Sequence, residues 1–180
     1  MPDSDHVITV RVPVLETERL TLRAFRDDDL EPYAALISDP IVSRFLGDGR
    51  PISRMEAWRQ IAMIVGHWAL RGFGLWAVEE RATGALVGRI GVHEPAGWPG
   101  FELAYTLGRP WWGRGYAQEA GRASLRYSRD VLGRDEIISV IRPDNAGSIK
   151  VATALGAERA ETVEFFGAPS LIYRYPRLRS

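Results

Sequence analysis

Residues 109–120 (RPWWGRGYAQEA) constrain the fold of this chain more than any other part of its sequence. A strand is predicted before them, over residues 101–107, and a helix after them, over residues 116–132. Gly113 and Gly115 lie between the two, where glycine permits positive φ angles and lets backbone amides approach a ligand. The first amides of the helix have no partner within it and carry the positive end of its dipole. A strand, a glycine loop and a helix therefore predict a site for a diphosphate.

Composition limits the chemistry that such a site can perform. The chain has 180 residues, no cysteine and a formal net charge of zero. Zero net charge gives no argument for a nucleic-acid or membrane partner, and the lack of cysteine excludes disulfides, thiolate metal ligands and a cysteine nucleophile. Its length and its 46% hydrophobic content suit one domain over residues 1–180. No segment has the pattern of a signal peptide or a membrane span, so a cytoplasmic protein is expected. No metal is expected either.

Hydrophobic patterns predict a mixed α/β (α+β) domain in the order β-α-α-β-β-β-α-β-α-β-β. Residues 1–16 are predicted to form a lead-in arm or strand, and residues 19–25 alternate as a strand does. Three strands joined by short turns predict an antiparallel meander; they cover residues 75–79, 86–93 and 101–107. The strand over residues 137–142 follows a helix and is expected to lie parallel to the strand before that helix. The last hairpin is expected to turn at residues 167–169.

Capping residues predict where the helices begin and end. Ser53 and Glu56 have the form of a capping box, and Gly72 supplies the stop of that helix. Pro40 is expected to end the helix before it, and Asn145 to cap the last helix. The apolar residues at helical spacing after Ser53 are Met55, Trp58, Ile61, Ala62, Val65, Trp68 and Ala69. Core packing is the preferred interpretation of the two tryptophans, and a substrate wall is the alternative.

Three classes of phosphate loop compete for residues 109–120. A P-loop NTPase needs a lysine followed by serine or threonine after its glycines, and the chain has neither there. A dinucleotide-binding fold would need a third glycine where Gln118 stands, and an acid after the next strand, whereas Asp135 and Glu136 precede that strand. The third class binds coenzyme A, whose diphosphate can be held by backbone amides.

Residues 112–117 (WGRGYA) resemble motif A of the GCN5-related N-acetyltransferase (GNAT) superfamily, Q/R-x-x-G-x-G/A. Trp112 departs from the motif, because the family prefers glutamine or arginine there. Four segments are similar to the ribosomal-protein N-acetyltransferase branch (RimJ/RimL type): TERLTLR at 17–23, ELAY at 102–105, YAQEA at 116–120 and NAGS at 145–148. The resemblance covers about residues 15–176. It implies the GNAT acyl-CoA N-acyltransferase fold, with a splayed parallel strand pair and about four helices, and direct acetyl transfer from acetyl-CoA to a primary amine.

The resemblance also implies which residues hold acetyl-CoA. Backbone amides of residues 113–117 would bind the diphosphate, and the pantetheine arm would lie between the two splayed strands. Arg114 is either a phosphate contact or a solvated loop arginine. A backbone N–H among residues 104–106 would polarise the thioester. The residues expected to contact the cofactor are Ala104, Tyr105, Thr106, Leu107, Trp112, Gly113, Arg114, Gly115, Tyr116, Ala117, Asn145 and Ser148.

Two catalytic roles follow from the same resemblance. Glu102 is the expected general base, acting through water, with His93 and Glu94 as further candidates; the alternative for Glu102 is an edge carboxylate paired with an arginine. Many GNAT enzymes use a tyrosine of the last helix as the acid, but Ala152 stands at that place. Ser148 is the expected substitute, and its alternative role is to complete the helix cap.

The resemblance also implies that the acceptor amine enters between residues 41–51 and residues 165–170. An α-amine has a pKa of about 8 and a lysine amine about 10.4, so an α-amine needs less help to become neutral. The N-terminal α-amine of a protein or peptide is therefore the preferred acceptor. The alternatives are a small-molecule amine or antibiotic, or a non-catalytic acyl-CoA-binding module. A homodimer is one option for the assembly.

Overall fold

The computed structural model describes residues 9–177, and its centre is one eight-stranded sheet. The strands are β1 Leu15–Glu16, β2 Leu20–Arg23, β3 Leu75–Glu80, β4 Leu86–His93, β5 Glu102–Leu107, β6 Ile138–Ile141, β7 Glu158–Phe165 and β8 Ala168–Arg174. They lie in the order β1-β2-β3-β4-β5-β6-β8-β7, and every neighbouring pair is antiparallel except β5 with β6. The predicted mixed sheet with one parallel pair is confirmed.

Within residues 9–177 the sheet is accompanied by five α-helices, one more than the expected number. They are α1 Leu30–Ile37, α2 Pro40–Ser43, α3 Arg54–Arg71, α4 Tyr116–Asp130 and α5 Ala146–Ala154. The additional element is the one-turn helix α2. Helix α1 ends at Ile37, before Pro40, as predicted. The new turn was not predicted, and Asp39 caps it by accepting from the Ile41 N–H at 2.8 Å. Proline suits the first position of that turn, where no backbone donor is needed.

Helix α3 has the predicted ends but buries a different face. The capping box of Ser53 and Glu56 is present, and Gly72 ends the helix with a φ of +73°. Trp68 is buried and its indole N–H donates to the Leu75 carbonyl at 2.9 Å. Trp58 is 53% exposed, so core packing is the wrong interpretation for this residue. The buried residues of α3 are Ala57, Ile64, His67 and Trp68.

The choice of face on α3 follows from what packs against it. Both stripes of the helix carry apolar residues, so hydrophobic spacing alone does not distinguish them. The small side chain of Ala57 is fully buried, and nearby Gln60 accepts from the Tyr33 hydroxyl of α1 at 2.9 Å. Packing against α1 therefore selects the stripe that begins at the small residue Ala57, and Trp58 is left outside.

Gly88 and Gly91 give β4 the close backbone contacts that their positions predict. A Cβ atom at Gly88 would lie 2.1 Å from the Thr106 carbonyl oxygen, and one at Gly91 would lie 2.4 Å from the Gly74 carbonyl oxygen. Neither distance is possible for a real side chain. The two glycines therefore let β4 lie tightly between β3 and β5.

The last hairpin turns at Phe166 and Gly167, so the prediction of a turn over residues 167–169 is wrong. Phe165 pairs with Ala168, and Pro169 is already within β8, opposite Glu164. Proline is tolerated there because β6 pairs with β8 only from Leu171 onwards, so no neighbour needs the missing N–H.

The lead-in segment joins the sheet through β1, which pairs with β2 at Leu15 and Glu16. The Trp76 indole N–H donates to the Pro13 carbonyl at 2.8 Å and anchors the chain before β1. The first eight residues of the predicted lead-in lie outside the described residues. Within residues 9–177, no helix is long and apolar enough to cross a membrane, and no group of three or more acidic or histidine side chains could hold a metal.

Candidate active site

The loop between β5 and α4 presents five consecutive backbone amides without a protein partner. In the described part of the chain, no hydrogen bond uses the amides of residues 113–117 as donors. Gly113 and Gly115 have φ angles of +74° and +79°. A Cβ atom at Gly113 would meet nothing within 4 Å, and one at Gly115 would meet only Arg19 Nη2 at 3.5 Å. The loop therefore has the donors and the open space that a diphosphate requires.

Arg19 braces this loop from the position directly before β2. Its Nη1 atom donates to the Arg114 carbonyl at 2.9 Å, and its Nε atom donates to Glu119 Oε2 at 2.7 Å. Thr17 Oγ1 donates to the other oxygen of Glu119 at 2.7 Å. Burial by itself raises the pKa of Glu119, but the hydrogen bonds from Thr17 and Arg19 outweigh burial and hold this pKa below its usual range. The carboxylate that fixes the start of α4 therefore stays ionised at neutral pH.

Sequence reasoning identified both partners of this brace but missed their contact. The TERLTLR segment and the YAQEA segment were predicted as separate signatures, 100 residues apart between Arg19 and Glu119. The signal that could have revealed the contact is chemical. One segment carries a cation and a hydroxyl, and the other carries a carboxylate beside the glycine loop.

Two side chains of the loop contact Glu80 of β3. Tyr116 is buried, and its hydroxyl donates to Glu80 Oε1 at 2.5 Å, so only its backbone faces the loop. This hydrogen bond, followed by one from Thr83, lowers the pKa of Glu80. Arg114 is about half exposed and its Nη1 lies 3.8 Å from Glu80 Oε1. Arg114 is thus held loosely by a carboxylate, and a stronger anion could attract it.

The structure explains the departure at Trp112. Its indole N–H donates to the Leu107 carbonyl at 2.6 Å and ties the loop to the last residue of β5. Trp112 remains 46% exposed, so the ring covers the loop instead of filling the core. The indole supplies an N–H donor at a position where the family has glutamine or arginine, which also carry N–H donors.

Strands β5 and β6 pair at one point and then separate. Glu102 is registered with Ile138, and the Ile138 N–H donates to the Phe101 carbonyl at 3.0 Å. A regular parallel ladder would continue with the Val140 N–H donating to the Leu103 carbonyl. This hydrogen bond is replaced by others, so the ladder stops after its first pair.

Two side chains form hydrogen bonds with the backbone atoms that the ladder would have paired. The Val140 N–H donates to Glu102 Oε1 at 3.1 Å, and Ser139 Oγ donates to the Leu103 carbonyl at 2.6 Å. Ser139 Oγ also lies 3.0 Å from the Tyr175 hydroxyl, which fixes the serine in place. The backbones of β5 and β6 therefore stay satisfied while the strands diverge, and a cleft opens between them. The splayed pair is built by these side chains.

The spacing of these contacts identifies the backbone groups that face the cleft. The carbonyls of Leu103 and Leu107 both accept from donors on the cleft side of β5, and alternate residues of a strand point to the same edge. Tyr105 lies between them, so its N–H and C=O face the cleft. Ala104 and Thr106 direct theirs towards β4. Of the three amides expected to polarise a thioester, only that of Tyr105 faces the cleft.

Glu102 is buried at the head of β5, where its two oxygens have three partners. Oε1 accepts from the Val140 N–H, and Oε2 accepts from the Trp98 indole N–H and lies 3.0 Å from His93 Nε2. Only 6% of the residue is exposed. The alternative interpretation, an edge carboxylate paired with an arginine, is therefore wrong.

His93, at the end of β4, is a hydrogen-bond partner of Glu102 through one of its two ring nitrogens. Because a carboxylate oxygen accepts, we assign the proton to His93 Nε2, which leaves Nδ1 as an acceptor. Nδ1 is buried and has no hydrogen-bond partner among the described residues. The carboxylate of Glu94 is instead paired with Arg134 at 3.1 Å, so Glu94 is the weaker of the two further candidates.

Helix α5 brings Asn145 and Ser148 to the other side of the cleft. Asn145 Oδ1 caps the helix by accepting from the Ser148 N–H at 3.1 Å. The cap therefore uses the amide of Ser148 and not its hydroxyl. The Tyr105 hydroxyl donates to the Ser148 carbonyl at 2.8 Å, and burial raises the pKa of Tyr105 well above its usual value. Ala152 is fully buried one turn further along.

The two segments expected to admit an acceptor are held in place by polar and aromatic contacts. Residues 44–50 are tied to the β6–α5 connection, where Arg44 pairs with Asp144 at 3.2 Å and Arg142 Nη2 donates to the Gly47 carbonyl at 3.2 Å. On the other side, the last hairpin brings two phenylalanines to Trp98.

Comparison with known proteins gives the same family as the loop and the cleft. A family model of the acetyltransferase (GNAT) domain matches residues 19–158. The uncharacterized N-acetyltransferase YoaA of Bacillus subtilis (strain 168) is 33% identical over 153 residues, which cover 82% of this chain and 84% of the relative. The FsC-acetyl coenzyme A-N(2)-transacetylase of Aspergillus fumigatus is 29% identical over 159 residues, which cover 83% of this chain and 67% of the relative.

Solved structures with the same fold include acetyltransferases from several bacteria. The acetyltransferase of Agrobacterium tumefaciens str. C58 superposes with a TM-score of 0.82 at 27% identity, covering 97% of this chain and 100% of that chain. The ribosomal-protein-S5-alanine acetyltransferase of Vibrio fischeri superposes with a TM-score of 0.71 at 15% identity, covering 93% and 98%. The unpaired loop amides, the split strands and these matches agree, and the chain belongs to the GNAT family of acetyltransferases.

Proposed function

We propose that this protein transfers an acetyl group from acetyl-CoA to an α-amine, the N-terminal amine of a protein or peptide. The observation that carries the proposal is the combination of five unpaired loop amides with an open strand edge at Tyr105. The loop amides can bind a diphosphate, and the open strand edge can pair with the amide groups of a pantetheine arm. We place the protein in the ribosomal-protein N-acetyltransferase branch and in the cytoplasm.

Residues 113–117 would hold the diphosphate through their amides, and Arg114 would add a charge-assisted contact by turning from Glu80. The backbone of Tyr105 would pair with the pantetheine arm between β5 and β6. Asn145 and Ser148, which begin α5, would border the same arm. When bound, acetyl-CoA supplies an acetyl thioester, whose carbonyl oxygen needs a hydrogen-bond donor as negative charge develops on it. We assign that donor to the Tyr105 N–H, because the amides of Ala104 and Thr106 face β4.

Glu102 and His93 would remove the proton from the attacking amine together. The three partners of Glu102 leave its carboxylate little access of its own, whereas His93 Nδ1 has an unused lone pair. A proton taken up at Nδ1 would be stabilised by the Glu102 carboxylate on the far side of the imidazole ring. Glu102 remains the source of basicity, and His93 takes the place that water had in the prediction from sequence.

Ser148 would donate a proton to the departing thiolate. Its hydroxyl is not the group that caps α5, which removes one competing role. The demand on this donor is small, because a thiol has a pKa of about 8.5 and its thiolate leaves readily. Tyr105 keeps its proton at neutral pH and is anchored to the carbonyl of the same serine, so it can hold Ser148 in position.

Two observations support an α-amine as acceptor. An α-amine has a pKa of about 8, so a modest base suffices to make it neutral. The Vibrio fischeri enzyme acts on a protein alanine, whose only primary amine is the α-amine, and the Aspergillus fumigatus relative acts at an N(2) position. The name of the second enzyme mentions no protein acceptor, so a small-molecule amine is the second candidate.

The test is thiol release from acetyl-CoA over a panel of peptides with free N-termini, the same peptides with blocked N-termini, and small amines. We expect release with free peptides and none above background with blocked ones. Release with small amines alone would favour the second candidate. Tight acetyl-CoA binding without release for any amine would contradict an enzymatic function and leave a non-catalytic binding module.

A further inference from the structure

The turn of the last hairpin holds a phenylalanine in a conformation that this residue rarely adopts. Phe166 has a φ of +51° and Gly167 a φ of +67°. Two-residue hairpin turns with positive φ at both positions favour Asn-Gly, because a bulky side chain is strained in the left-handed region. Within residues 9–177, Phe166 alone among residues other than glycine has a positive φ. It is also 57% exposed, so burial does little to compensate for the strain.

The strained turn places the Phe166 ring against a tryptophan from another part of the chain. Ring centroids of Phe166 and Trp98 are 5.6 Å apart, and those of Phe165 and Trp98 are 4.8 Å apart. The two phenylalanine rings are themselves 4.4 Å apart. We call these three residues the aromatic cluster. A backbone outlier that survives in a folded protein points to a function for the group it positions.

The aromatic cluster is continuous with the proposed proton acceptor. The Trp98 indole N–H donates to Glu102 Oε2, and the Trp98 ring packs edge-on against His93 with centroids 4.8 Å apart. Trp98 and Phe165 are half-buried, whereas Phe166 is exposed. The cluster therefore forms an apolar surface that begins at the reacting centre and ends in solvent.

The charges near the cluster indicate what kind of acceptor it suits. Glu102 is already bonded to Val140, Trp98 and His93, so its carboxylate is not available to bind a second ammonium group. A polyamine would need further carboxylates at the site. An apolar surface next to one base fits an acceptor with one reactive amine and an apolar group beside it.

We propose that the aromatic cluster binds the apolar side chain on the carbon that bears the acceptor amine. Acceptors whose first residue is aromatic or large and aliphatic are then preferred over those that begin with glycine or a charged residue. Phe166 is the specificity-determining residue, and the strain at its φ is retained for this contact. This inference rests on the proposed function, which it deepens by naming the class of acceptor.

The test uses peptides that differ only in the first residue, which is Phe, Leu, Gly, Glu or Lys. For the wild-type protein we expect kcat/KM for the Phe peptide to exceed that for the Gly peptide by tenfold or more, in the range of about 10–200-fold that small apolar differences provide. Phe166→Asn should reduce this ratio about tenfold. Asparagine suits a positive φ, so the melting temperature of this variant should equal or exceed that of the wild type.

Trp58→Ala is the matched control, because Trp58 is an exposed aromatic residue on α3 that makes no ring contact with the aromatic cluster. It should leave the ratio unchanged. An unchanged ratio in Phe166→Asn would overturn the inference. So would a melting temperature several degrees lower with the ratio retained, because the ring would then serve the fold.

Calorimetric titration of the same peptides into the CoA-bound protein separates this inference from the proposed function. If no peptide causes thiol release, the proposed function fails. Tighter binding of the Phe peptide that is lost in Phe166→Asn would still support the aromatic cluster. Equal binding of the Phe and Gly peptides would refute the cluster whatever the turnover.

Discussion

The two ends of the β5–β6 cleft are built in different ways. At the phosphate end, most of the proposed ligand contacts are unpaired backbone amides of one short segment, residues 113–117, which the side chain of Arg19 braces. At the acceptor end, side chains from β4, the following turn, β5 and the last hairpin converge on Glu102. A backbone site tolerates changes of side chain, as Trp112 illustrates. A site made of converging side chains depends on each of them, so acceptor choice can change between relatives while the cofactor site is kept.

The largest expected effect tests whether the phosphate end depends on backbone alone. Gly115→Val should lower acetyl-CoA affinity at least 100-fold, because a β-branched residue is strained at a φ of +79° and would fill the space before the amides. Isothermal titration with acetyl-CoA measures this affinity. Gly84→Val is the matched control: Gly84 has a φ of +72° with open space around it, but lies in the β3–β4 turn. Equal losses in both variants would show that strain, and not the phosphate site, is responsible.

The second prediction concerns the acceptor end. Glu102→Gln should lower kcat about 100-fold, within the range of general-base contributions, and change acetyl-CoA affinity little. The neutral amide cannot stabilise a proton taken up at His93 Nδ1, and its NH2 group conflicts with the Trp98 indole donor. In the plot of kcat against pH, the fall in rate at low pH that reports the general base should also disappear. Glu94→Gln is the control, because Glu94 is paired with Arg134; a comparable loss in that variant would remove Glu102 from its role.

The third prediction tests the brace between the two motifs. Arg19→Gln should weaken acetyl-CoA binding about tenfold, because the Arg114 carbonyl and Glu119 lose charge-assisted hydrogen bonds that together hold the loop. The acceptor preference should remain as in the wild type. Arg54→Gln removes an exposed pair with Glu31 and serves as control. Unchanged affinity in Arg19→Gln would mean that the loop keeps its shape without the brace.

The smallest expected effect is a pH dependence of folding stability that originates at the acceptor end, in His67. His67 Nδ1 lies 2.7 Å from the Phe73 carbonyl and donates to it, so Nε2 accepts the Glu94 N–H at 3.1 Å. Burial lowers the pKa of His67. The unfolded chain, with a histidine pKa of about 6.5, therefore binds more protons than the folded chain as the pH falls, and stability is lost below that value. Protonation also removes the Glu94 hydrogen bond, which is worth about 1 kcal/mol.

Urea unfolding at pH 7.5 and pH 5.5 measures this dependence. His67→Gln does not titrate, so it should lose less stability between the two pH values than the wild type does. Equal losses in the two proteins would show that His67 does not anchor the turn that carries Trp98.

Much of the phosphate end could be predicted because its signals are local. Positive φ at Gly113 and Gly115, the cap at Asn145 and the start of α4 each depend on residues within a few positions of one another. The order of β3, β4, β5 and β6 followed from short turns and from the handedness of one crossover. The missed helix α2 and the misplaced turn of the last hairpin are also local errors, and the hairpin turn is shifted by one to two residues.

The acceptor end could be named from sequence only in outline. Glu102 was identified by resemblance, but its three partners lie at positions 93, 98 and 140, and no periodicity joins them. The faces of α3 were confused for a related reason, because both stripes are apolar and only α1 decides between them. Phe166 was placed in the acceptor region by resemblance, but its positive φ carried no signal, since a strained turn breaks the preferences on which prediction depends.

The sequence by itself determined a mixed sheet and a glycine loop before a helix, because backbone conformation and short-range spacing encode these features. The family of acetyltransferases followed from the resemblance of its motifs. Tertiary structure decided where β5 and β6 part. The Glu102 carboxylate and the Ser139 hydroxyl form hydrogen bonds with the backbone atoms that would have continued the ladder. These hydrogen bonds can form only when strands distant in sequence are packed together. The cleft is open because side chains satisfy the hydrogen bonds that closing it would have made.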